Sequence, residues 1–174
     1  MVNIVMAPNE TKNDNSIIFL AGPIQGARNW QKDAIQIISA NIDNITVANP
    51  RSEYLNEDFD YSKQVEWETE YLNKASKNGV ILFWLANEEK HICNRAFAQT
   101  TRFELAEWKT KYQYDKNIRI AIGIDDKFSN SRYIRKRLKE DCPEIKIYDT
   151  LEETCKEAIE IIKTRKIGNK ISFI

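Results

Sequence analysis

Short apolar runs alternate with longer amphipathic stretches along most of this chain. Ile17–Ala21 reads as a first strand. Trp30–Ala40 follows as a helix, with Ala34, Ile35, Ile37 and Ile38 on its apolar side and Asn29 placed to cap its start. Ile45–Ala48 is a short second strand, stopped by Asn49-Pro50. Arg51 to Tyr61 is polar, acidic and aromatic and fits neither the strand nor the helix period, so it is read as a loop. Ser62–Lys77 returns to helical spacing through Val65, Tyr71, Leu72 and Ala75. Gly79–Leu85 is apolar throughout, as a strand covered on both faces must be. A second long loop, Asn87 to Gln99, precedes a helix spanning Thr100 to Trp108. Then come a strand at Ile118–Ile122, a helix near Tyr133–Lys139, a strand at Ile145–Tyr148 and a last helix from Leu151, opened by Thr150 and Glu153 as a capping box.

Strands alternating with helices predict a parallel sheet with helices on both faces. This order specifies an α/β fold, a doubly wound, flavodoxin-like, five-stranded sheet. The two long loops follow the second and third strands and overhang the same sheet end, where ligands gather in such folds. No repeat or interdomain linker interrupts residues 1–174, so a single domain is expected. The polar, Asn-rich residues 1–15 are expected to be flexible, and residues 167–174 to form a short tail, either a strand or an arm contacting a neighbouring subunit.

Charge narrows the ligand class. The 26 basic and 26 acidic side chains cancel, leaving no field to attract nucleic acid or an anionic membrane. A small uncharged or compact anionic molecule is the expected partner. The basic run of Arg132, Arg135, Lys136, Arg137 and Lys139 reads as a solvated helix face. Cys93, Cys142 and Cys155 are widely spaced and odd in number, which suits free thiols in a cytoplasmic protein. No run has the length of a membrane span. With His91 the sole histidine and no metal-ligand spacing, no metal site is expected. Neither the dinucleotide fingerprint nor a P-loop pattern occurs, and no cofactor is expected.

Three segments carry candidate chemistry. The turn Ala21-Gly22-Pro23-Ile24-Gln25-Gly26-Ala27-Arg28-Asn29-Trp30 joins two glycines, an arginine and a helix start, features that suit an anion, although an ordinary strand-to-helix turn has the same composition. Glu66, Glu68 and Glu70 alternate around Trp67, so a helix cannot aim all three one way. Glu104 sits in the first turn of its expected helix, where a carboxylate can attack an electrophilic carbon. Three residues after Thr101, it can equally be the glutamate of a capping box. Trp84 is expected in the core, whereas Trp30 and Tyr54, beside loops, are expected to line a pocket.

Taken in order, these segments resemble the nucleoside 2-deoxyribosyltransferase-like family. Ile17-Ile18-Phe19-Leu20-Ala21-Gly22-Pro23 is similar to the family's opening strand and glycine turn, with Trp30 opening the next helix. Asn49-Pro50-Arg51 resembles the turn after the second strand in one branch. Val65-Glu66-Trp67-Glu68, Leu72 and Val80-Ile81-Leu82-Phe83-Trp84 resemble its Trp-Glu helix and central strand. Thr100-Thr101-Arg102-Phe103-Glu104-Leu105-Ala106 resembles the segment bearing the nucleophile, and Ile120-Ala121-Ile122-Gly123 the next strand.

The resemblance implies cleavage of the N-glycosidic bond of a deoxynucleoside through a covalent glycosyl-glutamate and transfer of the sugar to another base. Glu104 would be the nucleophile and Glu68 the orienting carboxylate, with Glu70 its rival. Gly22, Pro23, Gly26 and Arg28 would line the sugar or its 5′ end, and Trp30, Asn49 and Arg51 would face the base. Hydrolysis of deoxynucleoside 5′-monophosphates and a non-catalytic nucleotide-binding module are the alternatives; an NAD-cleaving enzyme is a third. Homo-oligomeric assembly is implied as well. Two departures stand out: Ala106 occupies a position where glycine is usual, and Arg95 to Thr101 lacks the carboxylate that some members carry before the nucleophile.

Overall fold

The computed structural model describes residues 1–13, 15–51, 59–92 and 94–171, with side chains up to Arg165. Eleven elements follow one another: β1 (Asn3–Met6), β2 (Ile17–Ala21), α1 (Trp30–Asn41), β3 (Thr46–Asn49), α2 (Tyr61–Asn78), β4 (Gly79–Leu85), α3 (Gln99–Tyr114), β5 (Ile120–Ile124), α4 (Ser131–Asp141), β6 (Ile147–Tyr148) and α5 (Leu151–Ile171). The strands form one six-stranded parallel sheet in the order β1-β3-β2-β4-β5-β6. The doubly wound α/β architecture is therefore present.

Side-chain alternation divides the core into two layers. Along β4, Val80, Leu82 and Trp84 pack with Trp30, Ala34 and Ile38 of α1 and Cys155, Ala158 and Ile162 of α5. Ile81, Phe83 and Leu85 face the opposite layer, with Trp67, Tyr71 and Ala75 of α2, Leu105 and Trp108 of α3, and Leu138 of α4. Burial on both faces is why this strand reads as one uninterrupted apolar run.

Two expectations about the termini change. The sheet has a sixth strand, β1, drawn from the segment expected to be flexible. Its Asn3, Ile4, Val5 and Met6 pair with Thr46, Val47, Ala48 and Asn49 of β3. Beyond it, the Asn9 carbonyl accepts from Trp67 Nε1 at 2.6 Å, and Thr11 N–H donates to the Tyr71 hydroxyl at 3.0 Å. Its four residues are too few to show a period, and the polar stretch that follows conceals them. At the other end, α5 continues through Ile171 instead of giving way to a tail at 167; residues 172–174 lie outside the described residues.

Sheet order fixes where a ligand can enter. From β2 the chain passes to β3 on one side and then to β4 on the other, so the winding direction reverses between β2 and β4. Connections leaving such strands diverge and leave a crevice at their carboxyl ends.

Candidate active site

A cavity of about 270 Å³ fills that crevice. Ala21, Gly22 and Pro23 form one wall, Pro50 closes the end of β3, and Tyr61, Gln64 and Glu68 project from α2. From α3 come Thr101 and Glu104, with Arg95 reaching in from the preceding loop. Glu68 and Glu104, on two different helices, thus bring two carboxylates into one space.

The entry into α3 decides how Glu104 is presented. The helix begins at Gln99, after Ala98 in the left-handed conformation (φ 55°, ψ 29°), and has no side-chain cap hydrogen bond. The expected capping box of Thr101 and Glu104 is therefore absent. Thr101 is already inside the helix and buried, and Glu104 lies a turn further in than the sequence pattern suggested. Docking of the preceding loop accounts for the early start. The Gly26 carbonyl accepts from the N–H groups of Glu89 at 2.8 Å and Lys90 at 3.0 Å, and Arg95 donates to Gln25 Oε1. Phe97 packs against Phe128, with ring centroids 6.1 Å apart, and the Arg102 guanidinium lies 4.4 Å over the same Phe128 ring.

Burial and like charge set the electrostatics. Loss of solvation pushes Glu104 up to about 8, and repulsion from Glu68 and then Glu107 adds to it. Glu68 is also raised by burial, offset in part by a hydrogen bond from Gln64. That bond runs from Gln64 Nε2 to Glu68 Oε1 at 2.7 Å, and the same nitrogen donates to the Pro50 carbonyl at 2.8 Å. Glu70, the rival for the second carboxylate, is exposed and ion-paired with Lys74, away from the cavity. Helical spacing separates the two: Glu68 shares a face with Gln64, and Glu70 does not.

The remaining candidates divide into wall and frame. Gly22 and Pro23 line the cavity. A Cβ on Gly22 would stand 2.3 Å from the Trp84 carbonyl oxygen and 2.6 Å from the Trp30 ring, so only glycine lets the turn close over the Trp30 indole and the backbone of β4. Trp30 itself is 0% exposed, and its Nε1 donates to the Pro23 carbonyl at 2.9 Å. It supports the turn from below and does not face the cavity as expected, because the first residue of α1 points into the α1/α5 layer. Gly26 takes a φ of 82° and holds the 87–98 loop through its carbonyl.

Arg28 pairs with Asp33 at 3.4 Å on the surface, outside the cavity lining. Asn49 and Arg51 are likewise frame residues. Asn49 Oδ1 accepts from Arg51 N–H at 3.0 Å. The Arg51 guanidinium donates to Gln31 Oε1 at 3.0 Å and to the carbonyls of Ile24 and Arg28 at 3.2 and 3.1 Å. Among the described residues, its guanidinium thus bonds to the glycine turn and α1. Tyr54 lies outside the described residues.

Sequence reasoning missed Gln64 and Arg95. Gln64 could have been found from its i,i+4 spacing to Glu68. Arg95 is the one cation among the described lining residues, yet nothing in its neighbourhood marks it, since it sits in an irregular loop. Among the described residues no cluster of His, Cys, Asp and Glu is arranged to hold a metal ion, and no helix is long and apolar enough to cross a membrane.

Comparison with known proteins places this geometry. No curated protein matches the chain. The family model described as "Nucleoside 2-deoxyribosyltransferase like" matches residues 15–120, a stretch that runs from β2 to the start of β5 and contains every wall of the cavity named above. With well over half of its length matched, the chain belongs to the nucleoside 2-deoxyribosyltransferase-like family.

Proposed function

We propose that this protein cleaves the N-glycosidic bond of a 2′-deoxynucleoside with Glu104 as nucleophile and transfers the sugar to a second base. The observation that carries the reading is the placement of Glu104 and Glu68 in one cavity beside the Gly22-Pro23 turn, within the stretch that matches the family. Ionised Glu104 attacks C1′ as the bond to the base nitrogen breaks, and the departing base takes the electron pair and is protonated by water. A glycosyl ester results. An incoming base nitrogen, or water, then attacks C1′ and returns the carboxylate, with net retention.

The electrostatics favour this sequence. A buried carboxylate facing another is unstable as an anion, so its basicity is high. Ester formation removes its charge, and positive charge gathering at C1′ is attracted to both carboxylates during the reaction. Glu68, held by Gln64, orients the sugar opposite the nucleophile.

A second reading, hydrolysis of a deoxynucleoside 5′-monophosphate, is favoured by Arg95, whose guanidinium offers a forked contact to phosphate. Substrate panels separate the two. Deoxynucleosides with a free acceptor base should give a new nucleoside under the transferase reading; 5′-monophosphates should give free base and sugar phosphate under the hydrolase reading. Under the latter, Arg95→Ala should weaken kcat/KM for monophosphates roughly 10–100-fold, about 1.4–2.8 kcal/mol, while sparing nucleosides. A 2-fluoro sugar, which slows breakdown of the ester, should leave a sugar adduct on the Glu104 peptide by mass spectrometry. An active protein that never carries that adduct and tolerates Glu104→Ala would sink the mechanism.

A further inference from the structure

The amide of Gln64 is 9% exposed and lies between two acceptors. Its Nε2 donates to the Pro50 carbonyl at 2.8 Å and to Glu68 Oε1 at 2.7 Å. A primary amide has two N–H groups, and both are used here. Flipping the amide would set its oxygen against a carbonyl and a carboxylate, three acceptors with no proton among them. The orientation is therefore fixed by its surroundings.

Pro50 belongs to the Asn49-Pro50-Arg51 turn, whose other two residues are also tied down, Asn49 to the Arg51 N–H and Arg51 to Gln31 and the glycine turn. Gln64 thus connects a braced part of the frame to a carboxylate that enters the cavity. We infer that Gln64 is a positioning residue for the reaction, fixing the Glu68 carboxylate against the Pro50 carbonyl and thereby deciding which of the two cavity carboxylates keeps a proton. This rests on the proposed chemistry only for its catalytic meaning; the proton's location is a property of the cavity itself.

Glu68 looks across to Glu104 on α3, with Glu107 acting on the latter from the same helix, Arg95 reaching in from the 87–98 loop, and Tyr61 on its own helix. A donor aimed at Glu68 stabilises its anion and does nothing for its protonated form. Among the described residues no side chain donates to Glu104, which is raised by burial and by repulsion from Glu68 and Glu107. The Gln64 donor thus favours the charged form of Glu68 and leaves Glu104 as the preferred seat of a shared proton.

Removing the amide should narrow that difference. Without the donor, Glu68 becomes easier to protonate than in the wild type, and the more often it is neutral the less it repels Glu104, so Glu104 should ionise at lower pH. Gln64→Met keeps the length and removes both donors. If that variant does not fold, Gln64→Glu reads the same quantity, since a carboxyl at 64 offers at most one proton and, when ionised, repels Glu68.

Carbon-13 NMR titration of the glutamate side-chain carboxyls should show the Glu104 midpoint falling and the Glu68 midpoint rising, with Glu104→Gln and Glu68→Gln used for assignment. In parallel, the acid limb of kcat/KM should move to lower pH by about one unit, while kcat falls because Glu68 is no longer held. A residue that only packs would lower activity or stability and leave both midpoints in place; that result would overturn the inference. The titration requires no turnover, so a protein inactive on nucleosides would defeat the functional reading without touching the role of Gln64.

Discussion

The starts of α3 and α5 carry the same local signature, a threonine with a glutamate three positions later, and the structure uses them differently. At α5, Thr150 stands just outside the helix and its hydroxyl accepts from Glu153 N–H at 3.2 Å while lying 2.8 Å from Glu153 Oε2. The threonine half of a capping box is formed, satisfying an otherwise orphaned donor, and the Glu153 carboxylate accepts from the capping hydroxyl itself. At α3 the helix has already begun when Thr101 is reached, because the preceding loop is docked on Gly26 and Phe97 is seated against Phe128. The displacement buries Thr101 and carries Glu104 onto the cavity wall. Backbone entry, set by tertiary contacts, decides whether such a glutamate is spent on a cap or remains available to a ligand.

The sharpest way to break this comparison is to remove each glutamate. Glu104→Ala should lower turnover by at least roughly 10³-fold, about 4 kcal/mol of barrier, with the melting temperature unchanged or raised. Glu153→Ala should leave turnover intact and cost a few tenths to about 1 kcal/mol of stability. Activity assays and thermal melts on both variants suffice. Equal catalytic losses would show that the two sites do not differ in kind.

Acidity sharpens the contrast next. With Glu104 pushed up to about 8 in the folded protein, kcat/KM should rise with pH up to that value as the proposed nucleophile ionises. Stability should run the other way. A carboxylate raised on folding contributes fully below its ordinary value near 4.5, and that contribution is lost as pH climbs through about 8, because the unfolded chain ionises where the folded one resists. Glu104→Gln removes the penalty. Its advantage over wild type should be absent below about pH 4, grow through neutrality and level off above about pH 8, reaching on the order of 1–2 kcal/mol because the cavity is open to water. Urea melts across that range would test it, and an advantage independent of pH would show that Glu104 is not the strained group.

These differences mark what was legible in the sequence. Gly79–Leu85 was recognisable to the residue because burial on both faces leaves no polar positions to blur it, and Thr150-Leu151 because a cap and an apolar period coincide. β1 was not, since its stability comes from pairing with β3 and not from its own composition. Glu104 and Glu68 were identified through the ordered resemblance of several segments; their proximity in one cavity is a tertiary fact. Trp30 misled because a tryptophan beside a glycine turn can sit above or below it, and only the missing Cβ of Gly22, with Trp84 behind it, reveals that the ring lies beneath. Gln64 and Arg95 drew no notice because amide and guanidinium groups acquire meaning only from what they face.

The finest test concerns the caps themselves. Thr150→Ala should cost about 1 kcal/mol, the usual loss when an N-cap hydroxyl is deleted. Thr101→Val, nearly the same in shape, should cost less than half of that, because no helix donor depends on the Thr101 hydroxyl as a cap. The residue in the capping position of α3 is Ala98, held at φ 55°, where an L side chain is disfavoured and glycine is not. Ala98→Gly should therefore stabilise the protein by a few tenths to about 1 kcal/mol, net of the extra freedom glycine gives the unfolded chain. The same change at Thr150, whose side chain is the cap, should destabilise instead. Opposite signs in two melting curves would establish that α3 is entered through strained backbone and α5 through a side-chain cap; a loss of stability in both would return Thr101 to the role its sequence pattern first suggested.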